Sequence, residues 1–287
     1  MKLLVLALAF SLTIFAAAPS QAQEVIVLVP GFFNSFTPEY FSETVISSFT
    51  ERGFKVYVAN NLNPIGTIED NGTRLFHFFE SVEKAEGHHV AFNVLAHSAG
   101  GLYTLFVADK QKFTIKNLIT VSTPYKGVEF VQRWLENSAL FRGLTDLAHL
   151  DGLVQLAPKG VAEFTAKIRV SPNMKIIAFG GFQEKSLDIW NARYLSLPFR
   201  VTSLSISEAS DGIVGFSSSI GLGNIKTTEN RPARQFRNAA FTVSLEHWEQ
   251  TLDSNSFILL GIRNPGYIQR EQQRFYSGIA NYLLTLL

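Results

Sequence analysis

In the run Asn93-Val-Leu-Ala-His-Ser-Ala-Gly-Gly-Leu-Tyr103, a serine stands between small residues where a strand-like apolar run gives way to a helix-like one. The core of it, Ala96-His97-Ser98-Ala99-Gly100, reads small-x-Ser-x-small. A strand-to-helix turn that sharp strains the serine backbone, so the positions two before and two after must be small. The hydroxyl then stands clear of the sheet, and the N-terminus of the next helix offers N–H groups to a developing oxyanion. By itself the pattern arises by chance, and its bland reading is a helix-capping serine. A strand directly before and a helix directly after favour a nucleophile.

A serine hydroxyl needs a base, and the base needs an orienting carboxylate. In strand-turn-helix architectures these follow in the order serine, acid, histidine. Downstream of Ser98 stand only His149 and His247. His149 precedes most of the remaining sheet, whereas His247 follows the strand-like run from Phe241 near the C-terminus and is the expected base. The carboxylate candidates are Asp146, Asp151, Glu184, Asp188, Glu208 and Asp211. Asp211, in Ser210-Asp-Gly-Ile-Val214, follows the apolar alternation Val201 to Ile206, where a loop would reach the rim. Asp-Gly is also ordinary turn sequence, and Glu184 and Asp188 compete from the loop after the fifth strand. The oxyanion donors expected are the backbone N–H groups of Ala99 and of Phe32, the latter in Pro30-Gly31-Phe32-Phe33. His97 should point inward, His77 falls on a helix, and His88 and His89 open a strand; none is spaced as metal ligands. Asn71-Gly72-Thr73 is a glycosylation sequon that matters only in a glycosylating host.

The elements that would hold these residues alternate. Glu24 to Pro30, Gly53 to Ala59, Val90 to Ala96, Leu118 to Ser122 and Met174 to Phe179 read as strands, with helices over Pro38 to Glu51, Ile68 to Lys84 and Leu102 to Lys110. Such alternation predicts an α/β fold with a mostly parallel sheet flanked by helices and ligands at its carboxyl edge. Residues 127–170 break the pattern with helical apolar residues and read as a cap or lid insertion over that rim. Lys226 to Asn238 is polar and reads as a surface loop, and Tyr267 to Leu287 as a closing amphipathic helix.

Composition is that of a folded chain: 46% of the 287 residues are hydrophobic, 17% are charged, and there are 25 phenylalanines. A net charge of +1 supplies no field to draw polyanions, so nucleic acid is not an expected partner. With no cysteine, thiolate catalysis, disulfides and Cys-ligated zinc are excluded. Met1-Lys2, the apolar run Leu3 to Ala18 and the small-residue stretch to Ala22 read as a secretory signal over residues 1–22, too short for a spanning helix. Export to the periplasm or medium is expected, with residues 23–287 forming one domain.

Leu28-Val29-Pro30-Gly31-Phe32, Ala96-His97-Ser98-Ala99-Gly100-Gly101, Ser122-Thr123-Pro124-Tyr125-Lys126-Gly127, Ser210-Asp211-Gly212-Ile213-Val214 and Glu246-His247-Trp248 occur in the order met in bacterial triacylglycerol lipases and esterases of the α/β-hydrolase superfamily. The chain resembles that family over most of residues 23–287. The resemblance implies Ser98 as nucleophile, Asp211 as acid, His247 as base, and Phe32 and Ala99 N–H as the oxyanion hole. It implies lipid or small-ester substrates, met in some members at a lipid–water interface. The Ser-Thr-Pro-Tyr-Lys-Gly stretch resembles the family's Gly-Thr-Pro-His-Arg-Gly segment, and the sequence departs from the family with Pro30 where His is frequent and Ala96 for the first glycine of the serine motif. One branch holds a structural Ca2+ near the base, for which Glu249 and Asp188 are loosely placed, and the hydrolytic chemistry itself requires no cofactor. A secretion partner or chaperone has no residue-level counterpart here. Two rivals remain: an acyltransferase using the same serine, and a non-catalytic binding protein of the same fold.

Overall fold

A β-branched run such as Val25–Val29 can be buried on both sides only inside a sheet covered on both faces, and that is how it folds. The structure is a computed structural model that describes residues 23–34, 39–182, 202, 205–237, 242–253 and 265–286. The expected signal, Glu184, Asp188 and half of the Val201 to Ile206 run lie outside the described residues. The elements are β1 (Val25–Val29), α1 (Glu43–Thr50), β2 (Lys55–Val58), α2 (Ile68–Glu86), β3 (Ala91–His97), α3 (Gly100–Asp109), β4 (Thr114–Val121), α4 (Glu129–Asn137), α5 (Ala139–Leu147), α6 (Asp151–Gln155), α7 (Pro158–Lys167), β5 (Arg169–Val170), β6 (Lys175–Phe179), α8 (Phe216–Ile220), β7 (Lys226–Thr227), β8 (Gln235–Arg237) and α9 (Pro265–Leu284).

Six strands form one sheet in the order β2-β1-β3-β4-β6-β8, and every neighbouring pair is parallel. From β1 the chain first moves outward to β2, then returns past β1 to β3 and advances to the other edge. The crevice between the carboxyl ends of β1 and β3 is therefore a topological switch point, where such sheets bind ligands. Register brings Val29 beside Ala96, His97 beside Val121, and Val121 beside Phe179, so the loops after β1, β3, β4 and β6 share one rim.

Period-2 alternation divides the core in two. Val25, Val27, Val29, Val94 and Ala96 face α2 and α3 through Leu75, Phe79, Leu102 and Leu105. Ile26, Leu28, Leu95, Ile119 and Phe179 face α1 and α9 through Val45, Phe49, Phe275 and Ile279. Each such buried Val, Ile, Leu or Phe side chain contributes about 1.5–3 kcal/mol, and a one-residue register slip would exchange the faces wholesale.

Several boundaries differ from expectation for local reasons. The first helix starts at Glu43 because the Ser42 hydroxyl caps it, accepting the Val45 N–H at 3.3 Å. Its expected start at Pro38 lies outside the described residues. β4 begins at Thr114, four residues before the apolar run, since hydrogen bonding to Ala91 and Phe92 of β3 carries it through Lys116. Lys226 to Asn238 is not simply a loop: β7 pairs with β5, and β8 extends the main sheet beside β6. An edge strand needs partners on one side only and tolerates Gln235 and Arg237. The 127–170 insertion folds as α4 to α7. Gln155 anchors it on the N-terminus of α2 by accepting the Ile68 N–H at 2.7 Å, and Trp134 Nε1–H donates to Ser205 Oγ at 3.2 Å. Among the described residues no helix is long and apolar enough to cross a membrane.

Candidate active site

β3 ends at His97 and α3 begins at Gly100, which leaves Ser98 and Ala99 to make the turn. Ser98 adopts φ 55°, a left-handed conformation that costs a side-chain-bearing residue about 1–3 kcal/mol. The surroundings fix it there. Its N–H donates to Val121 O at 2.9 Å, and its carbonyl accepts Gly101 N–H at 3.2 Å and Thr123 Oγ1 at 2.8 Å. A Cβ on Gly100 would lie 2.5 Å from Val29 O and 2.7 Å from Pro30 O, so glycine is required two residues after the serine. Gly31 is glycine for a related reason: its Cβ would stand 2.6 Å from Ser98 Cβ, so the first loop lies directly against the serine.

The Ser98 hydroxyl meets His247 Nε2 at 2.8 Å, and His247 Nδ1 meets Asp211 Oδ2 at 2.7 Å. Residues 149 and 36 positions apart are thereby joined in one hydrogen-bonded line, with Ser98, His247 and Asp211 all buried. A carboxylate only accepts, so Nδ1 carries the ring proton and Nε2 turns a lone pair toward the serine. The turn and acid readings of Asp211 are compatible. Its Oδ1 accepts Ile213 N–H at 3.0 Å and Val214 N–H at 2.8 Å, closing the Asp-Gly turn, while Oδ2 is left for His247. Gly212, with φ 96°, supplies the backbone conformation of that turn. Burial would by itself raise the Asp211 pKa. The charge and hydrogen bond of His247, the Val214 N–H and the Ser122 hydroxyl outweigh it and hold the carboxyl below its ordinary value.

Among the described residues neither Phe32 N–H nor Ala99 N–H donates to a protein acceptor, whereas Phe33 N–H is committed to Pro64 O at 2.7 Å. Ala99 sits at the start of α3 without a side-chain cap. Two free donors flanking Ser98, one at a helix N-terminus, suit a tetrahedral oxyanion. A cavity of about 450 Å³ opens beside Pro30, Asn34, Tyr40, Ile46 and Asn60. Neither Ser98 nor His247 lines it, so the reacting bond is not placed there.

No protein-family model matches the sequence, and no curated sequence is significantly similar to it. Solved structures do match in three dimensions. A metagenomic carboxyl esterase, MGS0156, superposes with a TM-score of 0.62 at 13% identity over 93% of this chain and 77% of its own. Lipase 1 from Pelosinus fermentans gives 0.58 at 12% identity over 91% and 98%, and the mature lipase BlEst2 of Bacillus licheniformis gives 0.53 at 16% over 81% and 88%. The chain has the α/β-hydrolase fold. At such identities the likeness speaks for the fold alone.

Among the described residues the other sequence candidates take no part in the Ser98–His247–Asp211 line. His149, Asp146 and Asp151 are exposed on the helical insertion. Glu208 is engaged by Ser217, whose N–H and hydroxyl donate to it. Glu249, considered for calcium, accepts Glu246 N–H at 3.0 Å, and no metal-binding group of three gathers among the described residues. Four polar residues about the site escaped sequence reasoning. Ser122 helps keep the Asp211 carboxyl ionised; Tyr40 and Gln250 contact His97; Gln272 of α9 donates to Glu249 O at 2.8 Å and Leu252 O at 2.9 Å, pinning the loop that carries His247. Only Ser122 had a signal, its place in the Ser-Thr-Pro segment at the end of β4.

Proposed function

We propose that the chain is an exported serine carboxylic-ester hydrolase acting on acylglycerols or related lipid esters. The observation that carries the reading is the unbroken Ser98–His247–Asp211 line beside two free N–H groups. His247 Nε2 takes the hydroxyl proton as Ser98 Oγ attacks the ester carbonyl. Phe32 and Ala99 N–H hold the oxyanion, at about 10²–10³ in rate per donor. The collapsing intermediate expels the alcohol, protonated by His247, and leaves an acyl-serine. Water, activated by the same imidazole, then releases the carboxylic acid, while Asp211 remains ionised and steadies the imidazolium.

Support for a greasy substrate comes from the insertion. Phe130, Trp134 and Phe141 pack edge to face along α4 and α5, and Leu140 stands 74% exposed beside them. The structural neighbours, a carboxyl esterase and two lipases, point the same way. The leader-like residues 1–22 support export.

The test is hydrolysis of p-nitrophenyl esters, from acetate to palmitate, by the protein beside Ser98→Ala and His247→Ala. Turnover that rises toward long chains and vanishes in both folded variants is expected. Activity in Ser98→Ala equal to the parent would overturn the reading. Products dominated by acyl transfer to an added alcohol would replace hydrolase by acyltransferase.

A further inference from the structure

We propose that Tyr40, His97 and Gln250 form a buried relay of positioning residues that locks the Gly31 loop and the Asp211 carboxylate into one geometry. This deepens the ester-hydrolase reading and rests on it.

The relay follows from counting donors and acceptors. Gln250 Nε2 donates to Asp211 Oδ2 at 3.1 Å and to Leu245 O at 3.3 Å, which orients the amide and leaves its Oε1 facing His97 Nε2 at 3.2 Å. An amide oxygen only accepts, so His97 carries its proton on Nε2. His97 Nδ1 is then a bare lone pair, and the Tyr40 hydroxyl donates to it at 2.7 Å. The Gly31 backbone N–H lies beside the Tyr40 oxygen. Each of the three hydrogen bonds has one direction: Tyr40 O–H to His97, His97 N–H to Gln250, Gln250 N–H to Asp211.

Both ends of this line touch the chemistry. Gly31 precedes Phe32, whose N–H is one of the two free donors, and Asp211 Oδ2 is the atom that holds His247. The middle is sealed, for Gln250 is fully buried and His97 is 1% exposed. His97 also lies beneath His247, ring centroids 4.6 Å apart. Burial, with the neighbouring His247 acting in the same sense, depresses the His97 pKa well below the usual imidazole value. A neutral His97 keeps Nδ1 as the acceptor the relay requires and places no second cation under the imidazolium. The sequence puts this histidine directly before the nucleophile, at the last residue of β3, where strand alternation points it to the α1 and α9 face and away from Ser98.

A double-mutant cycle tests it, with p-nitrophenyl butyrate as the probe. Tyr40→Phe removes one oxygen and is expected to lower kcat about three- to tenfold. Gln250→Met keeps the length, removes the donor to a charged group and is expected to lower kcat tenfold or more. In both, KM should stay within about twofold. Tyr40 and Gln250 communicate through His97, so the double variant should lose clearly less than the product of the two single losses. Multiplicative losses would overturn the relay and leave two independent structural effects, as would unchanged kcat in both singles while Ser98→Ala is inactive. If Gln250→Met does not fold, Tyr40→Phe decides alone: a fall in kcat at constant KM supports the relay, and parent kcat or a change confined to KM overturns it. Parent-like activity in Ser98→Ala would instead bring down the ester-hydrolase reading, and the relay with it.

Discussion

Replacing Asp211 by asparagine keeps the size of the side chain and reverses one end of its hydrogen bonding. Ile213 and Val214 N–H both point at Oδ1, so the amide oxygen takes that position and keeps the turn. The amide nitrogen then occupies the place of Oδ2, facing His247 Nδ1–H and Gln250 Nε2–H, two donors against a donor. His247 relieves the clash by moving its proton to Nε2, the atom that must accept from Ser98. By analogy with other serine triads the loss in kcat is about 10⁴, or about 5.5 kcal/mol of barrier. The assay is kcat for p-nitrophenyl butyrate with thermal unfolding measured in parallel. Kcat above a tenth of the parent in the folded variant would show that the carboxylate does not set the tautomer, and the assigned chemistry would have to be rebuilt.

Ser98→Gly should abolish ester hydrolysis and yet raise stability by about 1 kcal/mol, because φ 55° costs glycine nothing; a denaturation midpoint below the parent's would refute the strain. Gly100→Ala drives a methyl toward two backbone carbonyls that cannot yield cheaply, so a loss of about 1–3 kcal/mol is expected in urea unfolding, and parent-like stability would show that the loop after β1 is free to retreat. The depressed His97 pKa fixes the sign of a pH effect. Below about 6.5 the unfolded chain protonates this histidine and the folded one does not, so stability falls with pH by about 1.4 kcal/mol per unit. In His97→Asn that contribution to the slope between pH 6.5 and 5 should disappear, as read from denaturation midpoints, and an unchanged slope would count against a neutral buried ring.

What could be read from the sequence was local or periodic. β1, β3 and β6 were visible because burial on both faces makes them continuous apolar runs, and the Ser98 turn because its steric demands fall within five residues. Asp211 was separable from Glu184 and Asp188 only through the resemblance, since an Asp-Gly turn looks the same whether or not its second oxygen has work to do. β8 escaped because a three-residue parallel edge strand leaves no hydropathy signal. Tyr40 and Gln250 escaped for a different reason: they meet His97 from 57 and 153 residues away, and no spacing rule reaches that far.

Asn71 carries a consequence for how the protein is made. It belongs to an Asn-Gly-Thr sequon but lies fully buried in the first turns of α2, its oxygen accepting Asn63 N–H at 2.7 Å and its amide donating to Asn63 O at 3.0 Å. A cell that attaches glycans to nascent chains would reach this asparagine before the helix docks, and a sugar there leaves no route to the native packing. Production through a eukaryotic secretory pathway therefore sets oligosaccharide transfer in competition with folding, and Thr73→Ala, at an exposed position, would remove the contest without touching the buried amide.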